Sequence, residues 1–570
     1  MKNFFKKILN KINKFDSYTY QYKKYTNNIE LPSLAYTNWG LHFAQIKDFK
    51  TAIEKLEVAI AMPNKSPKPC ISLGIIYAKL KEYEKAEITL KKALERDTQN
   101  GYTYSVLSSV LVAENKFEEA EDIIKKGLKL NPSNSELYLN YGILYSKLKK
   151  RTKAAEMFKK AKFLDPMNLH TYFLLGVMLF ETDKTAEAFT EFKELEKLKP
   201  DYKNLNYYLA LCYKKEKNYM AVLEYAQRAL EEDNENPAIY ILFAQNYLTL
   251  NKKEETLKVF EIGKSRGIED VDFSVAWGIA LIKSGKPEEA KEKLEAVLKS
   301  NENNSTAIFY LGLCYKRENN FEKAEEFFTK AISINPENSS AISELGLLYY
   351  DLKKYDDAIK MFSKAINLSV ENTYLYFYIA NCCYKTGRYK KSIEYYEKTL
   401  EYHPTHLEAL INYSVNLLDI DNPKEALRKI RTAYQINRKS EKVLLVYALI
   451  GLKAGIYSDA IEKADLLLAQ LPENIDAKMI KAQALLSQGK AQEALNVLYS
   501  IKTEQQNFAY FAYLAYCAYK ILAETSPTNY NETMLNLYFN KYNELKDEPF
   551  DKSGVSMYIY NALNSNINKG

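Results

Sequence analysis

The feature that most constrains the fold of this chain is a 34-residue period that continues without a break over residues 33–508. Steps of 34 from Gly40 meet Gly, Ala or Ser at all fourteen positions, and steps of 34 from Ala52 meet Ala at eleven of fourteen. Only small side chains let two helix backbones approach closely, so this period predicts regularly repeated close helix crossings. A chain with such a period grows by stacking one structural unit on the next.

The residues around the small positions form a recognisable order in two repeats. One repeat contains Tyr138, Gly142, Tyr145, Ala154, Phe158, Ala161 and Pro166, and the other contains Leu311, Gly312, Tyr315, Ala324, Phe328, Ala331 and Pro336. This order resembles the tetratricopeptide-repeat pattern over residues 33–508. The resemblance implies an all-α, right-handed superhelical α-solenoid of antiparallel helix pairs, with the first helix of each pair on the concave face.

The period divides the chain into four parts. Residues 1–32 are a basic N-terminal segment, 33–508 are fourteen in-register repeats, 509–545 are an atypical fifteenth repeat, and 546–570 are a C-terminal cap or tail. The sixth and seventh repeats depart most from the pattern because Val222 and Thr256 replace the usual Ala, and the seventh also has Gly263 and Gly267 near the end of its second helix. We expect a bend at residues 262–272, with simple sequence drift as the alternative.

Charge and cysteine usage restrict the environment and the partners. Residues 1–32 hold seven lysines against two acidic residues, so +5 of the net charge of +7 lies there and only +2 lies in the remainder. A nearly neutral solenoid disfavours nucleic acid as a partner. The six cysteines form no Cys-x-x-Cys pair, which favours buried free thiols and a reducing, cytoplasmic compartment.

The sequence contains no recognisable catalytic, cofactor or metal motif. The segments that flank the repeats are too short for a catalytic domain, and the sequence holds neither a Gly-rich phosphate loop nor a Gly-x-Ser-x-Gly motif. His403 and His406 are three residues apart but have no third ligand in the sequence. We therefore expect a protein that is not an enzyme, with no cofactor, no metal and no small-molecule substrate.

The best candidate binding surface is the groove that the resemblance assigns to the first helices. A Lys is absent at repeat position 5 (counting Ser33 as position 1), which argues against the family's two-carboxylate clamp for acidic tails. Positions 5, 6, 9 and 12 are instead largely apolar and aromatic. The residues singled out are Phe173, Tyr207, Tyr208, Gln245, Phe309, Tyr310, Tyr350, Phe377, Tyr378, Asn381 and Tyr384. They either form a groove for an apolar or helical peptide or pack on adjacent first helices.

Residues 2–15 give the clearest signal outside the repeats. At 100° per residue the apolar side chains fall within an arc of about 140°, opposite the lysines, which predicts a basic amphipathic helix. Its apolar side consists of Phe4, Phe5, Ile8, Leu9, Ile12 and Phe15, and its basic side includes Lys6, Lys7, Lys11 and Lys14. Such a helix either lies on an anionic membrane or partner or docks on the first repeat as a cap.

These observations favour a non-enzymatic scaffold that binds one or more proteins along its concave face. The first alternative is a membrane-peripheral assembly factor that uses residues 2–15. The second is the regulatory subunit of an enzyme encoded elsewhere. The sequence does not identify the partner.

Overall fold

The computed structural model describes residues 32–62, 66–369, 373–502, 509–525 and 531–546. Within these ranges the regular structure consists of thirty α-helices and contains no strand. The helices follow one another in pairs that recur at the 34-residue step, as the all-α helical-repeat prediction requires. The chain divides into two compact units, one ending at Lys286 and the other beginning at Pro287.

The first unit contains helices α1 to α15. Odd-numbered helices are the first helices of their repeats and even-numbered helices are the second. In order they are Pro32–Gln45, Phe49–Ala61, Lys68–Lys79, Tyr83–Arg96, Gly101–Ala113, Phe117–Leu130, Ser135–Lys147, Arg151–Leu164, Leu169–Glu181, Thr185–Leu198, Leu205–Lys215, Tyr219–Glu232, Pro237–Thr249, Lys253–Ser265 and Val271–Lys283.

The second unit contains helices α16 to α30 and follows the same odd and even convention. In order they are Pro287–Ser300, Ser305–Arg317, Phe321–Ile334, Ser339–Asp351, Tyr355–Leu368, Leu375–Lys385, Tyr389–Tyr402, Leu407–Asp419, Pro423–Ile436, Glu441–Lys453, Tyr457–Gln470, Ile475–Ser487, Ala491–Tyr499, Ala509–Thr525 and Glu532–Leu545.

The helix boundaries follow from local chemistry at both ends of the first helices. Several first helices begin after an Asn whose side chain accepts a backbone N–H of the first turn, as Asn304 does from the N–H of Ala307 at 2.9 Å. They end at repeat position 13, and two residues later, at position 15, the backbone takes a left-handed conformation in all fourteen repeats. Only Gly285, Gly387, Gly455 and Gly489 are glycines at that position.

The small residues of the period permit close helix packing. A Cβ added at Gly176 would lie 2.5 Å from Cε1 of Phe192, and a Cβ added at Gly312 would lie 2.7 Å from Cδ1 of Phe328. Both rings are fully buried between the two helices of their repeats. Because these glycines have no side chain, the phenyl ring packs directly against the helix backbone.

The two glycines of the seventh repeat have local structural reasons. Gly263 is buried in α14, where an added Cβ would lie 2.6 Å from Cζ of Phe273. Gly267 follows that helix with a φ of +81°, the conformation that glycine adopts most easily. Close packing and helix termination thus account for both residues, and neither requires a bend at residues 262–272.

The burial of the cysteines agrees with the sequence prediction. Cys70, Cys212, Cys314, Cys382 and Cys383 are buried free thiols, and Cys517 is half-buried. Burial raises the pKa of the Cys314 thiol to about 11, which keeps it protonated and unreactive near neutral pH. These cysteines act as small apolar core residues.

The degenerate end of the repeat array also forms a helix pair. Helices α29 and α30 pack on each other, with the rings of Phe511 and Tyr538 6.2 Å apart. Residues 1–31 and 547–570, which include the basic N-terminal segment and most of the C-terminal cap or tail, lie outside the described residues. In the part of the chain that is described, no helix is both long and apolar enough to cross a membrane.

Candidate partner-binding faces

The candidate residues fall in both units, and those of the second unit lie on three consecutive first helices, α17, α19 and α21. Side chains at repeat positions 6, 9, 12 and 13 connect each of these helices to the next and connect α21 to the following first helix, α23. We call the side chains that make these connections, together with the neighbouring Tyr310 and Phe377, the second-unit face. Its residues are Tyr310, Lys316, Glu344, Tyr350, Asp351, Phe377, Tyr378, Asn381, Tyr384, Asn412 and Asp419.

Ionic contacts connect the first two helices of the second-unit face. The Lys316 ammonium lies 3.1 Å from a carboxylate oxygen of Glu344 and 3.9 Å from one of Asp351. Lys316 is half-buried, and two carboxylates share this one ammonium group. The face therefore presents a compact charged group at α17 and α19.

Aromatic and amide contacts connect the central helices of the same face. The rings of Tyr350 and Tyr378 are 5.6 Å apart in an edge-to-face arrangement. The Asn381 carbonyl oxygen accepts from the Asn412 amide at 3.1 Å and from the Tyr396 hydroxyl at 2.7 Å. The Tyr350–Tyr378 and Asn381–Asn412 contacts orient their side chains between neighbouring repeats, and the Tyr396 hydroxyl orients Asn381 from within its own repeat.

A hydroxyl–carboxylate contact connects the last two helices of the face. The Tyr384 hydroxyl donates to a carboxylate oxygen of Asp419 at 2.5 Å. The Phe377 ring lies 4.7 Å from the ring of His406, in the loop that precedes α23. Burial raises the pKa values of Tyr350 and Tyr378, so both phenols remain neutral hydrogen-bonding groups in the physiological range.

Not every predicted residue is available to a partner. Phe309 is only 7% exposed and packs on Phe328 and Tyr310, with ring centroids 5.9 and 5.0 Å away. Asn381 is 9% exposed and acts mainly between repeats. Tyr310, Tyr350, Phe377, Tyr378 and Tyr384 are half-buried, so each has one side in the core and one side toward solvent.

The candidates of the first unit form a smaller aromatic cluster. The rings of Phe173 and Tyr208 lie 5.4 Å apart between α9 and α11, and Tyr207 lies 5.6 Å from Tyr208. The Lys214 ammonium of α11 donates to the exposed Gln245 of α13 at 2.6 Å. Burial lowers the pKa of Lys214. This cluster spans three first helices, one fewer than the second-unit face.

Sequence reasoning missed five residues of the second-unit face. Lys316, Glu344, Asp351, Asn412 and Asp419 stand at repeat positions 6, 12 and 13 and are polar. The search for apolar and aromatic residues passed over them. Comparing position 12 of each repeat with position 6 of the next repeat for opposite charges would have found the Lys316–Glu344 pair.

The two histidines considered as zinc ligands have structural partners. His406 caps α23 because its Nδ1 accepts the backbone N–H of Ala409 at 3.2 Å. His403 Nε2 lies 3.2 Å from the Thr373 hydroxyl. Among the residues that the structure describes, no group of three or more His, Cys, Asp or Glu side chains is arranged to hold a metal ion.

Comparison with known families found matches to repeat profiles along the chain. Tetratricopeptide-repeat profiles match residues 67–100, 102–134, 135–166, 338–401 and 448–508. The profile for subunit 3 of the anaphase-promoting complex, or cyclosome, matches residues 288–365. No curated protein matches the chain.

Several solved structures share similarity with the chain. The Cut9–Hcn1 hetero-tetramer of APC/C gives 16% identity and a TM-score of 0.38, over 79% of this chain and 96% of that one. PilF from Pseudomonas aeruginosa has 20% sequence identity and a TM-score of 0.34, and the match covers 36% of this chain and 94% of that one. A tetratricopeptide repeat protein from Parabacteroides merdae has 18% sequence identity and a TM-score of 0.33, and the match covers 42% of this chain and 98% of that one.

Proposed function

Because the chain is a tetratricopeptide-repeat protein, a family whose stacked repeats present extended binding surfaces, we propose that it is a non-catalytic scaffold that binds partner proteins on the second-unit face. The proposal concerns the face and the kind of ligand. The general scaffold role follows from the repeat family itself.

The observation that carries the proposal is the continuity of the second-unit face. Side-chain contacts join α17 to α19, α19 to α21 and α21 to α23, which fixes the relative positions of four first helices. A row of tyrosines with limited rotamer freedom supplies contact area at low entropic cost on binding. A preorganised aromatic surface of this kind suits a peptide segment better than a small molecule.

The chemistry of the face indicates a mixed ligand. The outward sides of Tyr310, Tyr350 and Tyr378 would contact apolar anchors of a bound helix or strand. The Tyr384–Asp419 pair and the group around Lys316 would bind backbone or charged groups next to those anchors. A segment with two or three apolar residues flanked by polar ones fits this arrangement.

A matched pair of neighbouring tyrosines tests the proposal. Tyr350 contributes to the face, whereas Tyr349 points to the preceding second helix. The Tyr349 hydroxyl on α19 donates to Glu325 on α18 at 2.9 Å. Both are half-buried, so Tyr350→Ala and Tyr349→Ala should cost similar stability. The experiment compares affinity purification with quantitative mass spectrometry for the Tyr350→Ala variant, the Tyr349→Ala variant and the wild type.

The proposal predicts a set of proteins that the wild type and Tyr349→Ala retain and Tyr350→Ala loses by about tenfold or more, which corresponds to about 1.4 kcal/mol of binding free energy. Equal retention by all three proteins would refute a role for the face. Thermal unfolding of each variant shows whether a loss reflects unfolding rather than binding.

Two alternative functions, suggested by the sequence, remain predictions. The membrane-peripheral alternative depends on residues 2–15, which lie outside the described residues. The regulatory-subunit alternative describes a particular partner of the same face and would appear as an enzyme among the retained proteins. Neither has an observation of its own in the described residues.

A further inference from the structure

The outer side of the first repeat is exposed at positions that are covered in every later repeat. Position 10 is buried in all thirteen later repeats, from Ile76 to Ala484, but it is the exposed His42 in the first. Position 3 is likewise buried thirteen times and only half-buried at Ala35. At position 7 the later residues are buried or half-buried, whereas Trp39 is 43% exposed.

Contacts in later repeats show what normally covers these positions. Phe273 at position 3 and Trp277 at position 7 lie 5.2 and 6.0 Å from Phe260, which belongs to the second helix of the preceding repeat. Asn246 at position 10 donates to the backbone carbonyl of Tyr219 at 3.0 Å, also in the preceding second helix. The side of a first helix formed by positions 3, 7 and 10 therefore packs against the amphipathic second helix of the preceding repeat.

The corresponding side of α1 is apolar and aromatic. We call it the α1 end face, formed by Ala35, Tyr36, Trp39, His42 and Ile46. The rings of Tyr36 and Trp39 are 5.4 Å apart, and Ile46 is 60% exposed. An exposed tryptophan on α1 and an exposed isoleucine directly after its last residue mark a surface that is stabilised by burial.

We propose that residues 2–15 form an amphipathic helix that covers the α1 end face in the same molecule, in the place that a preceding second helix takes in later repeats. The segment has 14 residues, the same length as α4 and α6. Its predicted apolar side contains Phe5, Leu9 and Ile12, which have the four-then-three spacing of buried second-helix residues such as Ala86, Leu90 and Ala93.

Chain length and charge agree with an intramolecular contact. Residues 16–31 join the segment to α1 and can span up to about 50 Å when extended, far more than one repeat requires. The lysines lie on the opposite side of the predicted helix and would face solvent in this position. This cap is independent of the second-unit face, so either proposal can fail without the other.

Tryptophan fluorescence of the full chain tests the cap directly. The chain has two tryptophans, so Trp277→Phe leaves Trp39 as the only reporter. Two full-length variants in this background are matched: Ile8→Gln/Ile12→Gln removes apolar side chains, and Lys7→Gln/Lys11→Gln changes the basic side. The measurement is acrylamide quenching of Trp39 at several protein concentrations, with circular dichroism to verify folding.

The cap predicts weak quenching in the parent and in the lysine variant, and quenching in the isoleucine variant that rises toward that of the urea-unfolded chain. Three results would overturn it. Equal quenching in all three proteins would show that residues 2–15 leave Trp39 uncovered. Protection that is lost on dilution would assign the contact to a second copy. Protection that needs phosphatidylserine vesicles would assign the segment to a membrane.

Discussion

At the scale of single residues, the packing of this chain depends on where side chains are missing as much as on where they are present. Gly312 has no side chain, and Phe328 fills the space that one would need. Gly101, at the start of α5, has no heavy atom closer than 3.7 Å to an added Cβ. Identical substitutions at these two glycines should therefore have opposite effects.

Gly312→Ala should lower the free energy of unfolding by about 1–2 kcal/mol because the new Cβ displaces the Phe328 ring. Gly101→Ala should raise it by a few tenths to about 1 kcal/mol, because alanine has the better helix propensity and less freedom in the unfolded chain. Urea unfolding followed by circular dichroism measures both. Destabilisation of equal size at both sites would contradict this account of the small residues.

His406 makes the stability of the second unit depend on pH. Its Nδ1 must be unprotonated to accept the Ala409 N–H, and burial lowers its pKa below the usual value. The unfolded chain therefore binds the proton more readily, and stability should fall as pH decreases from about 7 to about 5.

Replacement by the cap residue of neighbouring repeats isolates this effect. His406→Asn should remove its part of the pH dependence and, at low pH, restore a cap worth about 1 kcal/mol. Asn338 provides the precedent, since its side chain accepts the N–H of Ala341 at 3.0 Å. Unfolding midpoints at the two pH values test the idea, and an unchanged pH slope in His406→Asn would count against it.

At the scale of helices and turns, the sequence predicted the elements well and their termination only in part. The 34-residue period identified the helix pairs because small residues and turn residues recur with it. Glycine marked the left-handed residue at position 15 in only four repeats, yet all fourteen adopt that conformation. Lys149, with a φ of 57°, shows why: helix packing on both sides imposes the turn on whatever residue stands there.

This imposed turn predicts a stabilising substitution. Lys149→Gly should raise the free energy of unfolding by about 0.5 kcal/mol, because the left-handed strain of about 1–2 kcal/mol exceeds the added backbone entropy of about 0.5–1 kcal/mol. Lys149→Ala keeps the Cβ and should give no such gain. Thermal unfolding of the two variants decides the matter, and equal stability of Gly and Ala at this site would show that the turn is unstrained.

At the scale of the whole molecule, the repeat pattern predicted the helical scaffold but not which of its surfaces binds a partner. The tyrosines of the second-unit face were visible in the sequence because aromatic residues recur at positions 6 and 12. Phe309 could not be separated from Phe377, because both are phenylalanines at position 5, yet Phe309 is buried and Phe377 is half-buried. The Tyr384–Asp419 contact joins residues 35 positions apart, and only the packing of two first helices brings them together.

The central claim is that partners contact the first helices of the second unit. The most direct test places a photoreactive amino acid at Tyr310 or Tyr384 and, as controls, at Lys330 or Lys364, which are exposed on second helices. Each full-length protein is irradiated with the partner that the affinity purification identifies. The account predicts crosslinks from Tyr310 and Tyr384 and little or none from the two lysine sites. Crosslinks from the lysine sites alone would contradict it.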